Sequence, residues 1–208
     1  RADGAVRLID ELAAASFQPG QRVLLWGHSH AGNMFALMTN LLAAHHDAVD
    51  RFFEAAAIYY RWPLVNVVDI PVWNRVERLL HEERPIGPAA LDVVTFGTPI
   101  RYGWDSDGYA RLLHFIHHRP SEGLPEYRAP FPPQLDRVLH AADGDYVQQL
   151  GIAGTNVCPS LLSWRAWLAD RRLHRLLQAE SVGANPLERF QAGAIVPQEG
   201  TTLLIDYG

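Results

Sequence analysis

Between Arg22 and Ala44 the chain passes from a continuous apolar run, Val23-Leu24-Leu25-Trp26, through Gly27-His28-Ser29-His30-Ala31-Gly32, into a segment with helical spacing. Met34, Leu37, Met38, Leu41 and Leu42 fall on one side of that segment. A four-residue apolar run before a glycine-rich turn is the pattern of a strand buried on both faces of a parallel sheet. A helix must then start within a few residues of the strand end. Such a junction is hard to place in an all-α or all-β chain, and it points to α/β architecture.

The rest of the sequence keeps that alternation. Residues 3–16 read as a helix, with Val6, Leu8, Ile9, Leu12 and Ala13 in one stripe, stopped by Pro19-Gly20. Helical pattern resumes over 52–60 and again over 73–83, with an ambiguous apolar stretch at 64–70 readable as a strand. Leu91 to Phe96 is a β-branched strand closed by Gly97-Thr98-Pro99, and Leu112 to His117 is a further strand. Five prolines between Pro120 and Pro133 predict an irregular excursion. Residues 161–177 read as a helix, 183–200 as a loop and 201–207 as a last strand. The expected fold is α/β, a mostly parallel sheet flanked by helices, with residues 1–208 as one domain. The absence of an initial Met and the apolar strand at the other end predict a domain cut from something longer.

Composition narrows the function classes. With 208 residues, a net charge of −5 and 20% charged side chains, the chain offers no basic surface for nucleic acid. No apolar run reaches the roughly 18–20 residues of a membrane span. One cysteine, Cys158, excludes an internal disulfide and a Cys-rich zinc site, and fits a reducing, cytoplasmic location.

The turn at Ser29 has three readings. Gly27 and Gly32 have the spacing of a phosphate loop, but Asn33-Met34 stands where the phosphate-gripping Lys and the magnesium-binding hydroxyl belong. A dinucleotide fingerprint needs another glycine two places after the first. The third reading is a sharp turn that exposes a nucleophilic serine hydroxyl above the sheet. It needs small residues around the serine, and Gly27 and Ala31 comply. The backbone N–H of His30, at the start of the helix, would then face a developing oxyanion.

Gly27-His28-Ser29-His30-Ala31-Gly32 resembles the Gly-His-Ser-x-Gly-Gly turn of lipases and esterases in the α/β-hydrolase superfamily, with Ala31 replacing the commoner Gly. Val93-Val94-Thr95-Phe96-Gly97-Thr98-Pro99 is similar to the strand that follows it in those enzymes. The resemblance implies that the strand at 23–26 is the fifth of eight, with those at 91–96, 112–117 and 201–207 the sixth to eighth. It also implies the order Ser, then an acid after the seventh strand, then His after the eighth. Asp145, in Asp143-Gly144-Asp145-Tyr146-Val147, is the favoured acid, with Asp143 and Glu122 as alternatives. Only His174 follows Asp145, and it lies in a helix before the last strand. The expected general base therefore lies beyond Gly208.

The implied activity is hydrolysis of a small-molecule or lipid carboxylic ester through an acyl-enzyme on Ser29, with no cofactor and no metal. Acyl transfer is a close variant, and a non-catalytic binding or interaction domain is the alternative. His28, beside the serine, and Arg101-Tyr102, near the carboxyl edge of the sheet, are candidate substrate-binding residues. His45-His46-x3-Asp50 and His114-x2-His117-His118 have metal-like spacing but no third ligand of known geometry.

Overall fold

The computed structural model describes residues 1–61, 68–82, 86–98, 101–118, 164–181 and 201–206. Its elements are α1 (Ala2–Ala14), β1 (Arg22–His28), α2 (His30–Ala43), α3 (His46–Tyr60), α4 (Ile70–Glu82), β2 (Ala90–Phe96), a short 3-10 turn (Ser106–Gly108), β3 (Arg111–His118), α5 (Trp164–Ser181) and β4 (Thr201–Asp206). The four strands form a parallel sheet in the order β1-β2-β3-β4. Gly27 is level with Thr95, and Val94 with Leu113. The chain is thus a mixed α/β fold with flanking helices.

Helix boundaries depart from the sequence expectation mainly at their starts. α2 begins at His30, four residues before Met34 opens the apolar stripe, and α3 begins at His46 rather than near Phe52. α4 begins at Ile70 with Pro71 as its second residue, because a proline in the first turn costs no intrahelical hydrogen bond. Of the stretch 64–70 readable as a strand, 64–67 lie outside the described residues, and 68–70 form no strand, because Ile70 already opens α4.

The sheet order decides where the helices sit. The order steps in one direction, so a right-handed β1-to-β2 connection carries α2, α3 and α4 to one face. α2 packs on β1 and β2, α1 on α2 and α4, α3 on α4, and α5 on α3. α2 is the central helix, and every side chain from Phe35 to Leu42 is buried. Behind it, Trp73 stacks on Tyr60 with ring centres 4.2 Å apart and meets Phe53 edge-on. Its indole N–H donates to Asp3 Oδ1 at 2.9 Å, so a large aromatic is buried without stranding its polar end.

The other face of the sheet is different. Leu91, Val93 and Thr95 point into the helical layer and are buried. Leu24 and Trp26 point the opposite way and stay 52% and 65% exposed. Trp26, Phe96 and Phe115 form a row across that face, with ring centres 5.7 and 5.0 Å apart. β1 is therefore not buried on both faces, as its apolar run predicts. It is the first strand of the sheet, and among the described residues the helix packed on it is α2, on the opposite face.

Candidate functional site

Parallel strands bring the C-terminal ends of β1 and β2 to one edge, where Ser29 follows β1 and Gly97-Thr98 follows β2. Ser29 has φ 53° and ψ −125°. Only Ser16 shares a positive φ among the described non-glycine residues. Ser16 lies just past α1, where a left-handed residue commonly ends a helix. Ser29 instead starts one, in a backbone region that costs an L-residue about 1–3 kcal/mol. Its side chain makes no capping hydrogen bond to α2. An ordinary serine at a helix start ties its oxygen to the first turn. Here that oxygen is left out of the cap.

The turn is held by its neighbours. Ser29 N–H donates to the Phe96 carbonyl at 2.9 Å, so the residue after β1 is still anchored to β2. A Cβ added to Gly27 would meet the Phe35 ring well inside 3.0 Å, and one added to Gly32 would meet the Thr98 side chain equally closely. Backbone and side chains thus approach without room for a methyl on both sides of the serine. On the helix side the tight position is Gly32; Ala31 is half-buried. Gly27→Ala is expected to displace the Phe35 ring and lower stability by about 1–3 kcal/mol in a denaturant titration.

His30 is the first residue of α2, and its backbone N–H belongs to the free donors of the helix start. Its imidazole pKa is lowered, first by partial burial and then by the charges of Arg1 and Arg101. His28 ends β1 and is exposed, on the same face as Leu24 and Trp26.

Arg101 and Tyr102 are both buried and turned toward α5. The Arg101 guanidinium pairs with one carboxylate oxygen of Asp170, and the Tyr102 hydroxyl donates to the other. Arg1 Nη1 reaches that second oxygen at 2.7 Å. Burial works to raise the Asp170 pKa, but the bonds from Arg101 and Tyr102 and the nearby positive charges outweigh it and hold the value below normal. Burial, reinforced by the Asp170 charge, raises the Tyr102 pKa and keeps the phenol protonated. One turn on, His174 Nδ1–H donates to the Arg101 carbonyl at 2.6 Å, and partial burial lowers its pKa. Nothing in the local sequence marks Asp170 as a charge centre beyond its being a lone acid among Arg165, Arg171, Arg172 and Arg175.

Asp145, Asp143 and Glu122 lie outside the described residues. The first metal-like spacing is resolved differently from a metal site. His46 Nδ1 and His81 Nδ1 are 2.9 Å apart with ring centres 5.1 Å apart and planes within 5°, which sets the rings side by side sharing one N–H. His81 Nε2 donates to Asp50 Oδ1 at 3.0 Å. His114 Nδ1 shares a hydrogen bond with Thr95 Oγ1 at 2.5 Å. Among the described residues no group of three or more His, Cys, Asp or Glu is placed to hold a metal ion, and no helix is long and apolar enough to cross a membrane.

Comparison with known proteins finds no matching family model, no matching curated protein and no matching solved structure.

Proposed function

We propose that the chain carries the nucleophile half of a serine hydrolase of the α/β-hydrolase kind, cleaving a carboxylic ester through an acyl-enzyme on Ser29. The observation that carries this reading is the backbone of Ser29. A non-glycine residue holds φ 53° at a strand-to-helix junction, with its side chain left out of the helix cap. Strain of this sort persists only where the surroundings enforce it, and it concentrates at functional sites. Such a turn lifts a serine oxygen above the sheet edge, where a substrate carbonyl can reach it.

In the proposed reaction Ser29 Oγ attacks the acyl carbon while a histidine accepts its proton. The His30 N–H stabilises the oxyanion, and as the ester C–O bond breaks the histidine returns its proton to the departing alcohol. Water then attacks the acyl-enzyme, giving a proton to the histidine, which passes it to Ser29 Oγ as the acid is released. Asp145 would orient the histidine that serves as the base. His28 would line the entrance. Arg101 and Tyr102, tied to Asp170, would shape the floor behind the turn rather than touch the substrate.

The test is a fluorophosphonate probe on the full-length protein, with the adduct mapped by peptide mass. Phosphonylation of Ser29 is the expected result. A folded protein that shows no adduct there is not a serine hydrolase of this design. Ester turnover by the 208-residue chain alone would place the histidine inside it.

A further inference from the structure

Thr98, two residues past β2, is 7% exposed, and its hydroxyl is buried without a hydrogen-bond partner among the described residues. A buried polar group left unpaired costs stability and calls for a reason. The same side chain fills the space where a Cβ on Gly32 would stand, with Oγ1, Cγ2 and Cβ all inside 3.0 Å of that point. Gly32 is in the first turn of α2, three residues after Ser29.

The end of β2 therefore grips the Ser29 turn at two points. The Phe96 carbonyl holds the Ser29 N–H at 2.9 Å, and the Thr98 side chain stops α2 at Gly32. That hydrogen bond, with the Phe35 ring against Gly27 on the strand side, locates the turn. The Thr98 contact, three residues after Ser29, adds the constraint on the first turn of α2 itself. The serine oxygen and the His30 N–H both move with the first turn of α2. A displacement of about 1 Å at such groups can cost on the order of 100-fold in rate.

We propose that Thr98 is a positioning residue for Ser29: its branched side chain, seated against Gly32, sets the angle at which α2 leaves β1 and so aims the serine hydroxyl. The inference rests on the reading of Ser29 as a nucleophile. Shape carries the role, so the hydroxyl is dispensable and valine can replace threonine.

The experiment compares wild type, Thr98→Val, Thr98→Ala, Gly32→Ala and the Gly32→Ala/Thr98→Ala double variant in the full-length protein. The readouts are the second-order rate of fluorophosphonate labelling, kcat and KM on a p-nitrophenyl ester, and the urea midpoint. Thr98→Ala is expected to lower kcat and labelling about tenfold or more, with KM within about threefold. Thr98→Val keeps both rates within about threefold of wild type, at an equal or higher urea midpoint. Gly32→Ala loses labelling, and the double variant recovers part of it because the methyl now meets a smaller side chain. If Thr98→Ala does not fold, Thr98→Ser, which keeps Oγ1 and loses Cγ2, takes its place with the same expected fall. Unchanged rates in Thr98→Ala overturn the proposal. So does Thr98→Val falling as far as Thr98→Ala, because the hydroxyl would then be the working part. Absence of labelling in wild type removes the nucleophile reading and this inference together, whereas labelled wild type with insensitive Thr98 variants removes this inference alone.

Discussion

Replacing Ser29 by glycine is expected to make the protein more stable and chemically inert at the same time. Serine at φ 53° pays for a backbone region that glycine occupies freely. Relief of about 1–3 kcal/mol is offset by the extra unfolded-state freedom of glycine, roughly 0.5–1 kcal/mol. A net gain of about 1 kcal/mol remains, or a Tm about 2–4 °C higher for a chain of this size. Ser29→Ala keeps a Cβ in the same backbone and gains nothing. Under the proposed mechanism both variants lose fluorophosphonate labelling and ester turnover falls at least about 10⁴-fold, because the proposed attacking atom is removed. The contrast between the two is the informative part. If glycine and alanine have the same midpoint in a urea titration, the turn stores no strain. If alanine still turns over ester at the wild-type rate, Ser29 is not the nucleophile.

Removal of the Asp170 carboxylate should be the most destabilising change at the site's periphery. Asp170 accepts from Arg101, Tyr102 and Arg1, and the Arg101 side chain is only 5% exposed. Asp170→Ala leaves that guanidinium buried beside no counter-charge, at a cost of about 3–5 kcal/mol. Asp170→Asn keeps an acceptor for one partner and should lose less. Urea midpoints order the variants, and a loss under about 1 kcal/mol in Asp170→Ala would show that the cluster is better solvated than its burial implies. The pH dependence has a definite sign. The folded-state pKa of Asp170 is depressed, so its contribution is present above the ordinary carboxylate value near 4. It is lost as pH falls from there through the folded value. Wild type should therefore lose stability steeply in that acid window, and Asp170→Ala should show a shallower fall there.

Much of the architecture was legible as local pattern. Strands over 91–96 and 112–117 appear within a residue of the expected bounds, because alternating or continuous apolar character is a property of neighbours in sequence. Helix starts were less legible. α2 and α3 begin before their apolar stripes because the first turn needs a strand junction or a tertiary contact, not a hydrophobic face. At the site, the sequence pointed to the Ser29 turn and to small residues around it. That the tightest approach falls at Gly27 and Gly32 could not be read, because the neighbours that demand it, Phe35 and Thr98, are brought there by α2 and β2. Asp170 is a further case: it lies 69 residues from Arg101, and only the packing of α5 brings the two together.

The sequence by itself determined the α/β alternation, the strand-to-helix turn at Ser29 and the exclusion of a phosphate loop, since each depends on residues within a few positions of one another. The tertiary structure decided which face of β1 is covered, because where α2 returns depends on the whole β1-to-β2 crossover and not on the strand's own residues. It also decided the strained conformation of Ser29. A serine at positive φ is unfavourable as a local choice, and here its N–H is held by a carbonyl on β2 while Phe35 and Thr98 crowd Gly27 and Gly32 on either side of it.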